Sequence, residues 1–308
     1  MRQPADLPYV IDRAEHRGDV VRFLDRERGP IDALLTEIGA VLLRDTGVTT
    51  PEEFGSAIGG YFGGLSDYTY RSTPRHEAAE RIFTSTEYPS DQEIQMHNEN
   101  AYASRWPRRI AFCCLVPAES GGATPIADSR HVAREIDPAV HRRFSERGVM
   151  YVRTYHQYID LPWSEVFQTN DRAEVARVCD ALSVDYEWDG DTLKTRQIRP
   201  GLANHPVTGE EVWFNQAHLF HPSALPSEAR MALVAALGEA ALPRQCFYGD
   251  GSAIDDEDLE RIRDVYRASA VDVDWRRGDV LILDNMLVAH GRRSYGGARQ
   301  VLVAMEDA

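Results

Sequence analysis

Six short runs constrain the fold of this chain more than anything else in it: IAFCCLV (110–116), VMYVRTY (149–155), TLKTRQI (192–198), EVWFNQA (211–217), DVLILDN (279–285) and QVLVAM (300–305). Most are rich in β-branched or aromatic side chains and bounded by Gly, Pro or Asp, the signature of strands. They crowd the centre and the C-terminal half with no regular alternation of strand and helix. That irregularity argues against a doubly wound or barrel fold and for a double-sheet jelly roll. Two longer helices interrupt the strands, SEARMALVAALGEAAL and DDEDLERIRDVYRASA, the second with an acidic first turn that suits the positive helix end. In the N-terminal third, PIDALLTEIGA places Ile31, Leu34, Leu35 and Ile38 at helical spacing, and VLLRDTG reads as a buried strand stopped by Gly47. Thr50 then precedes a helix with Pro51 at its first position and Glu52 and Glu53 in its first turn.

The expected architecture is therefore mostly β with α: a double-stranded β-helix (jelly roll) core with flanking and inserted helices. With no internal repeat, low-complexity tract or long linker, one domain over 1–308 is expected. Its N-terminal elements (1–65) would pack on the core, 156–171 would be a candidate lid, and 223–270 a helical insertion.

Charge narrows the partners. The formal net charge is −15, and Lys194 is the only lysine among 34 basic residues. Nucleic acids and anionic membranes need clustered positive charge, so neither is an expected partner. No run resembles a membrane span or a signal peptide, which leads us to expect a cytoplasmic location. Cys113, Cys114, Cys179 and Cys246 form no C-x-x-C, and strand neighbours point to opposite faces, so reduced thiols are expected.

The stretch EIQMHNENAY (93–102) holds His97 and Glu99 two residues apart. In a strand such residues share a face, so both can reach one ion while Asn98 points away. Ten histidines and 49 acids in 308 residues make roughly one or two His-x-acid triplets expected by chance, so the pair alone is weak. A third candidate, His290, ends the patterned run DVLILDNMLVAH, and Arg299 follows the turn GRRSYGGAR. Two histidines and one carboxylate on one face of an octahedral ion leave three positions open, as in non-haem Fe(II) oxygenases.

With these residues in place, MHNENAYASRWPRRIAFCCLVPAESGGATPIADSR and GDVLILDNMLVAHGRR resemble the Fe(II)- and 2-oxoglutarate-dependent oxygenases of the taurine dioxygenase and clavaminate synthase superfamily. The resemblance runs from about Arg71 to Met305 and is closest to the branch containing the syringomycin-pathway aspartyl hydroxylase. It implies that His97, Glu99 and His290 hold Fe(II), and that Thr124 and Arg299 bind 2-oxoglutarate, with O2 as second cosubstrate. Arg suits a carboxylate because its planar fork offers two parallel donors. Halogenating relatives have a small residue where Glu99 stands, so the resemblance implies oxygenation and not halogenation.

The implied activity is hydroxylation of an unactivated C–H in an amino acid, free or tethered to a peptidyl carrier protein, in specialised antibiotic metabolism. Desaturation, epoxidation or cyclisation would use the same cofactors, and a non-catalytic 2-oxoglutarate or metabolite sensor is the alternative of another class. A zinc hydrolase with the same three ligands would leave Thr124 and Arg299 without a role. Candidate substrate contacts are Arg71 and Arg75 in YRSTPRHE, Gln95 on the face of His97, and Asn215 in the dense stretch EVWFNQAHLFH. In that last stretch Trp213 and Phe214 read as core, and His218 and His221 as caps of the next turn.

Overall fold

In the computed structural model, which describes residues 7–12, 15, 19–66, 77–84, 88–157 and 159–306, three of the six strand runs lie in the larger of two sheets that share a core. The larger runs in the order Tyr9–Ile11, Ala40–Leu43, Val280–Asp284, Arg109–Val116, Gln300–Met305, Ile82–Thr84, Glu77–Ala79. Its pairs are antiparallel except the first, which is parallel. The smaller runs Val271–Val273, Thr124–Asp128, Val288–Arg292, Ile94–His97, antiparallel throughout.

Between the sheets, Phe112, Cys114, Leu281, Leu283, Val301 and Val303 of the larger meet Val273, Ile126 and Val288 of the smaller. On the other face of the larger sheet, Ala111, Cys113, Val280, Ile282 and Leu302 pack on helices Arg28–Ile38 and Pro51–Phe62 through Ile31, Leu35, Phe54 and Ile58. Central strands buried on both faces read as continuous apolar runs without alternation, because no side chain turns toward water. Cys113 and Cys114 thus fall on opposite faces. Burial raises the pKa of all four thiols, which keeps them protonated and unreactive.

The helix Pro51–Phe62 begins as its sequence predicts. Thr50 accepts from the Glu53 amide while the Glu53 carboxylate accepts from the Thr50 amide, a reciprocal capping box. At its far end Gly63 takes the left-handed conformation that closes a helix without a Cβ penalty.

A third sheet, Asp185–Asp189, Thr192–Arg199, Val149–Tyr155, Arg244–Tyr248, contributes to a second core with the outer face of the smaller sheet. There Met96, Ala127 and Ala289 join Phe144, Trp213 and Tyr266. The smaller sheet is therefore held from both sides, which fixes the strands that carry the candidate ligands.

Four expectations change. Helices occupy about as much of the chain as strands, so the protein is mixed α and β and not mostly β. The stretch 223–270 is not purely helical, because Arg244–Tyr248 crosses to pair with Val149–Tyr155. The run EVWFNQA is a strand only over Glu211–Trp213, and a short helix starts at Ala217. The run DVLILDNMLVAH is broken: Val280–Asp284 lies in the larger sheet and Val288–Arg292 in the smaller. At the break Asp284 Oδ1 accepts from the amides of Met286 and Leu287, at 2.9 and 3.0 Å, turning the chain from one sheet to the other.

The segment 156–171 is tied to its surroundings. Val166 and Phe167 are buried, Asp160 pairs with Arg244 at 2.5 Å, and the His156 Nε2–H donates to Ala241 O at 2.7 Å. Among the described residues no helix is long and apolar enough to cross a membrane.

Candidate active site

The break in DVLILDNMLVAH is what delivers His290 to His97. The two are direct cross-strand partners, with ring centroids 4.7 Å apart and planes tilted by 47°. Register then slips between His290 and Arg292, and Gly291 occupies the slip. A Cβ there would lie 2.5 Å from Ile94 O, so the strands can approach this closely only with glycine.

Glu99 lies two residues past the end of the strand Ile94–His97, in the turn that follows, and is 3% exposed. One atom each from His97, Glu99 and His290 falls within 4.8 Å of the others, the one such cluster of three or more His, Cys, Asp or Glu among the described residues. The His97 ring is aimed. Its Nδ1 lies 2.9 Å from Gln95 O, and a carbonyl can only accept, so Nδ1 carries the proton and Nε2 keeps its lone pair. That is the tautomer a metal-binding histidine needs. Nε2 lies 4.0 Å from Glu99 Oε2. Two imidazoles and one carboxylate with no thiolate form a donor set suited to a divalent first-row metal such as Fe(II).

Asn285, at the break between the two sheets, holds the main chain of Glu99 from both directions. Its Oδ1 accepts from Glu99 N at 2.7 Å, and its Nδ2 donates to Glu99 O at 3.0 Å and Pro107 O at 2.9 Å. Asn98 turns away, with Nδ2 donating to Ser129 Oγ and Asn285 O. Gln216 Nε2 donates to Asn98 O at 2.6 Å, completing a buried polar support under the turn. Asn285→Ala strands these buried groups, and about 3 kcal/mol of stability is expected to go with it, read by urea unfolding. Metal affinity is expected to fall about 10–100-fold in the same variant, read by titration with Mn(II).

A small, partly closed cavity opens beside the cluster. His97 and His290 line one part; Thr124, Arg292 and Arg299 bring polar groups to it; Ile94, Phe112, Val301 and Val303 make it apolar between. Thr124 is 3% exposed and accepts from the Trp275 indole N–H at 3.0 Å. Arg299 precedes the strand Gln300–Met305, donates through Nε to Gly122 O at 3.1 Å, and lies over the Tyr295 ring. Burial first, and the neighbouring Arg292 charge second, pull its pKa down to about 10. Burial also lowers Arg292. Two guanidiniums in one partly closed cavity repel each other, and an anion seated against them relieves that cost.

The structure thus lines one cavity with His97, His290, Thr124 and Arg299, and sets Glu99 in one ligand cluster with the two histidines. Asn215 does not join them: it is fully buried, its Nδ2 donates to Gly201 O at 2.6 Å, and its Oδ1 accepts from Ala217 N at 3.0 Å. Its amide is committed to the main chain, which removes it as a substrate contact. The Gln95 side chain is exposed and is not among the residues lining the cavity. Arg71 and Arg75 lie outside the described residues. Trp213 is core, and His221 caps the following turn by accepting from Ser223 N, whereas His218 is buried with Nε2 3.0 Å from Met96 O. Sequence reading passed over Arg292, whose guanidinium donates to the carbonyls of Tyr88, Pro89 and Gln92 and staples that segment beside the cavity. Its place two residues after His290 was the available signal.

Comparisons with known proteins bear on the family and the fold. The model of the taurine catabolism dioxygenase TauD, TfdA family matches residues 7–305. The chain is 40% identical over 279 residues to the dapdiamide synthesis protein DdaC of Enterobacter agglomerans, covering 90% of this chain and 85% of that one. It is 28% identical over 291 residues to a clavaminate synthase-like protein of Arabidopsis thaliana, covering 89% and 83%. Among solved structures, PvcB from Pseudomonas aeruginosa superposes with a TM-score of 0.54 at 14% identity, covering 92% of this chain and 80% of that one. An asparagine oxygenase in complex with Fe(II), 2S,3S-3-hydroxyasparagine and succinate gives 0.54 at 13%, covering 93% and 78%. These last two likenesses are of fold.

Proposed function

Because the chain belongs to the taurine catabolism dioxygenase TauD, TfdA family, we propose that it is an Fe(II)- and 2-oxoglutarate-dependent hydroxylase of an amino-acid-like small molecule in specialised metabolism. Its core is then a double-stranded β-helix whose two sheets enclose the site. His97, Glu99 and His290 hold the iron, and Thr124 and Arg299 hold the distal carboxylate of 2-oxoglutarate. One observation carries the reading: His97, Glu99 and His290 bring ligand atoms within 4.8 Å of one another, and the two histidines line the same cavity as Thr124 and Arg299. The 40% identity to a dapdiamide synthesis protein supports specialised metabolism.

Bound together, iron, 2-oxoglutarate and O2 supply the oxidising power to remove hydrogen from an unactivated carbon and return hydroxyl. The protein's share is aim and enclosure. Gln95 O keeps the His97 ring turned with its lone pair inward, and Asn285 keeps Glu99 from moving with its turn. Arg299 offers a fork of donors to a carboxylate, which orients the cosubstrate by its far end. Phe112, Val301 and Val303 give the cavity an apolar lining that leaves little room for stray water.

The test incubates Fe(II)-loaded protein with 2-oxoglutarate, O2 and a panel of amino acids, free and as carrier-bound thioesters, reading succinate and product mass. Stoichiometric succinate with a product heavier by one oxygen atom is the expected result. A product lighter by two hydrogens would show desaturation in its place. Absence of iron-dependent turnover with every candidate, alongside tight 2-oxoglutarate binding, would favour the sensor.

A further inference from the structure

A hydroxyl that can donate or accept binds an anion well only when something makes it donate. Thr124 has such a device behind it. The Trp275 indole N–H donates and cannot accept, so in its 3.0 Å contact Thr124 Oγ1 is the acceptor. The hydroxyl proton of Thr124 must then point elsewhere, and no acceptor for it is found among the described residues. Thr124 itself lines the cavity that Arg292 and Arg299 also line.

Trp275 is held where this works. The strand Val271–Val273 pairs with Thr124–Asp128 so that Val273 faces Thr124 across the ladder, and Trp275 follows two residues later. The peptide groups on both sides of it are anchored by one ion pair. The Asp274 carbonyl accepts from Arg44 at 2.8 Å, and the Arg276 amide donates to Asp279 Oδ2 at 2.7 Å. Arg44 and Asp279 are bonded to each other, with Asp279 fully buried.

We infer that Trp275 is a positioning residue for the cosubstrate: by donating its single proton to Thr124 Oγ1 it commits the Thr124 hydroxyl to donate toward a carboxylate in the cavity. This rests on the proposed function, since it takes Thr124 as a contact of 2-oxoglutarate. It also implies discrimination. A 2-oxo acid without a distal carboxylate has nothing to receive that proton, so its binding does not depend on Trp275.

The test is calorimetric titration of Mn(II)-loaded protein with 2-oxoglutarate and with 2-oxobutyrate, away from turnover. Trp275→Phe should raise the 2-oxoglutarate Kd about fivefold. The Mn(II) affinity and the 2-oxobutyrate Kd should stay unchanged. In a Thr124→Val background the same substitution should have less than about a twofold effect, because the hydroxyl it acts through is gone. Trp275→His, which keeps a ring N–H, should recover part of the loss, and Trp275→Leu replaces the Phe variant should that one fail to fold. Equal weakening of both oxo acids, or additive effects of Trp275→Phe and Thr124→Val, would overturn the inference and leave Trp275 a packing residue behind Thr124. If Thr124→Val and Arg299→Ala weaken 2-oxoglutarate binding while Trp275→Phe does not, the inference alone fails. If neither Thr124→Val nor Arg299→Ala weakens it, the cosubstrate assignment fails as well.

Discussion

His290→Ala is expected to lower the affinity for Fe(II) by more than about a hundredfold and to abolish hydroxylation. Changes in groups that merely support a ligand cost about 10–100-fold in metal affinity, so loss of the ligand itself should exceed that. The site has no spare donor: His97, Glu99 and His290 are the one cluster of its kind among the described residues, and His290 is 5% exposed, deep in the cavity wall. His97→Ala should behave alike. Glu99→Ala removes the only anionic member of the cluster and should also end hydroxylation, even if chloride enters the vacated place. Equilibrium dialysis against iron, with the melting temperature of the metal-free protein recorded separately, distinguishes ligand loss from unfolding. Full iron content and full turnover in either histidine variant would show the triad to be wrongly assigned.

Arg299→Ala should act on the other cosubstrate. Losing a charge-assisted, two-pronged contact of about 3 kcal/mol corresponds to roughly a hundredfold rise in the 2-oxoglutarate Kd. Iron affinity should stay within about twofold, because Arg299 lines the cavity with Thr124 and is no member of the ligand cluster. Arg299→Lys should recover only part of the loss, since an ammonium keeps the charge and not the planar fork. The site should still favour a dianion in the Lys variant, as Arg292 remains beside it. Titration of 2-oxoglutarate into metal-loaded wild type and variants reads this directly, and superimposable curves would remove Arg299 from the cosubstrate site.

These two variants probe residues that could be named before any coordinates, whereas other parts of the site could not be. Strand alternation was expected to put His97 and Glu99 on one face, yet the strand ends at His97, and it is the turn held by Asn285 that brings Glu99 within reach of the same ion. The same alternation misled at Asn215. Period-two reasoning holds only while the strand lasts, and this one stops at Trp213, so Asn215 turns inward to bond Gly201 and Ala217. In DVLILDNMLVAH the apolar pattern runs unbroken across a change of sheet. The break is made by Asp284 and Asn285, and the groups that hold it come from distant stretches: His205, Arg108 and Pro107.

Sequence alone thus determined the kinds of group available, two imidazoles, a carboxylate, a threonine and an arginine on or beside strand-forming segments, and a formal net charge of −15. Only the tertiary structure decided that the imidazoles, the threonine and the arginine line one cavity, that Asn285 clamps Glu99 beside it, that Arg292 sits beside Arg299, and that Trp275 stands behind Thr124. The reason is physical. Residue chemistry and periodicity are carried by neighbours along the chain, whereas burial and hydrogen-bond partnership depend on contacts between segments far apart in sequence, such as Glu99 with Asn285 and Thr124 with Trp275.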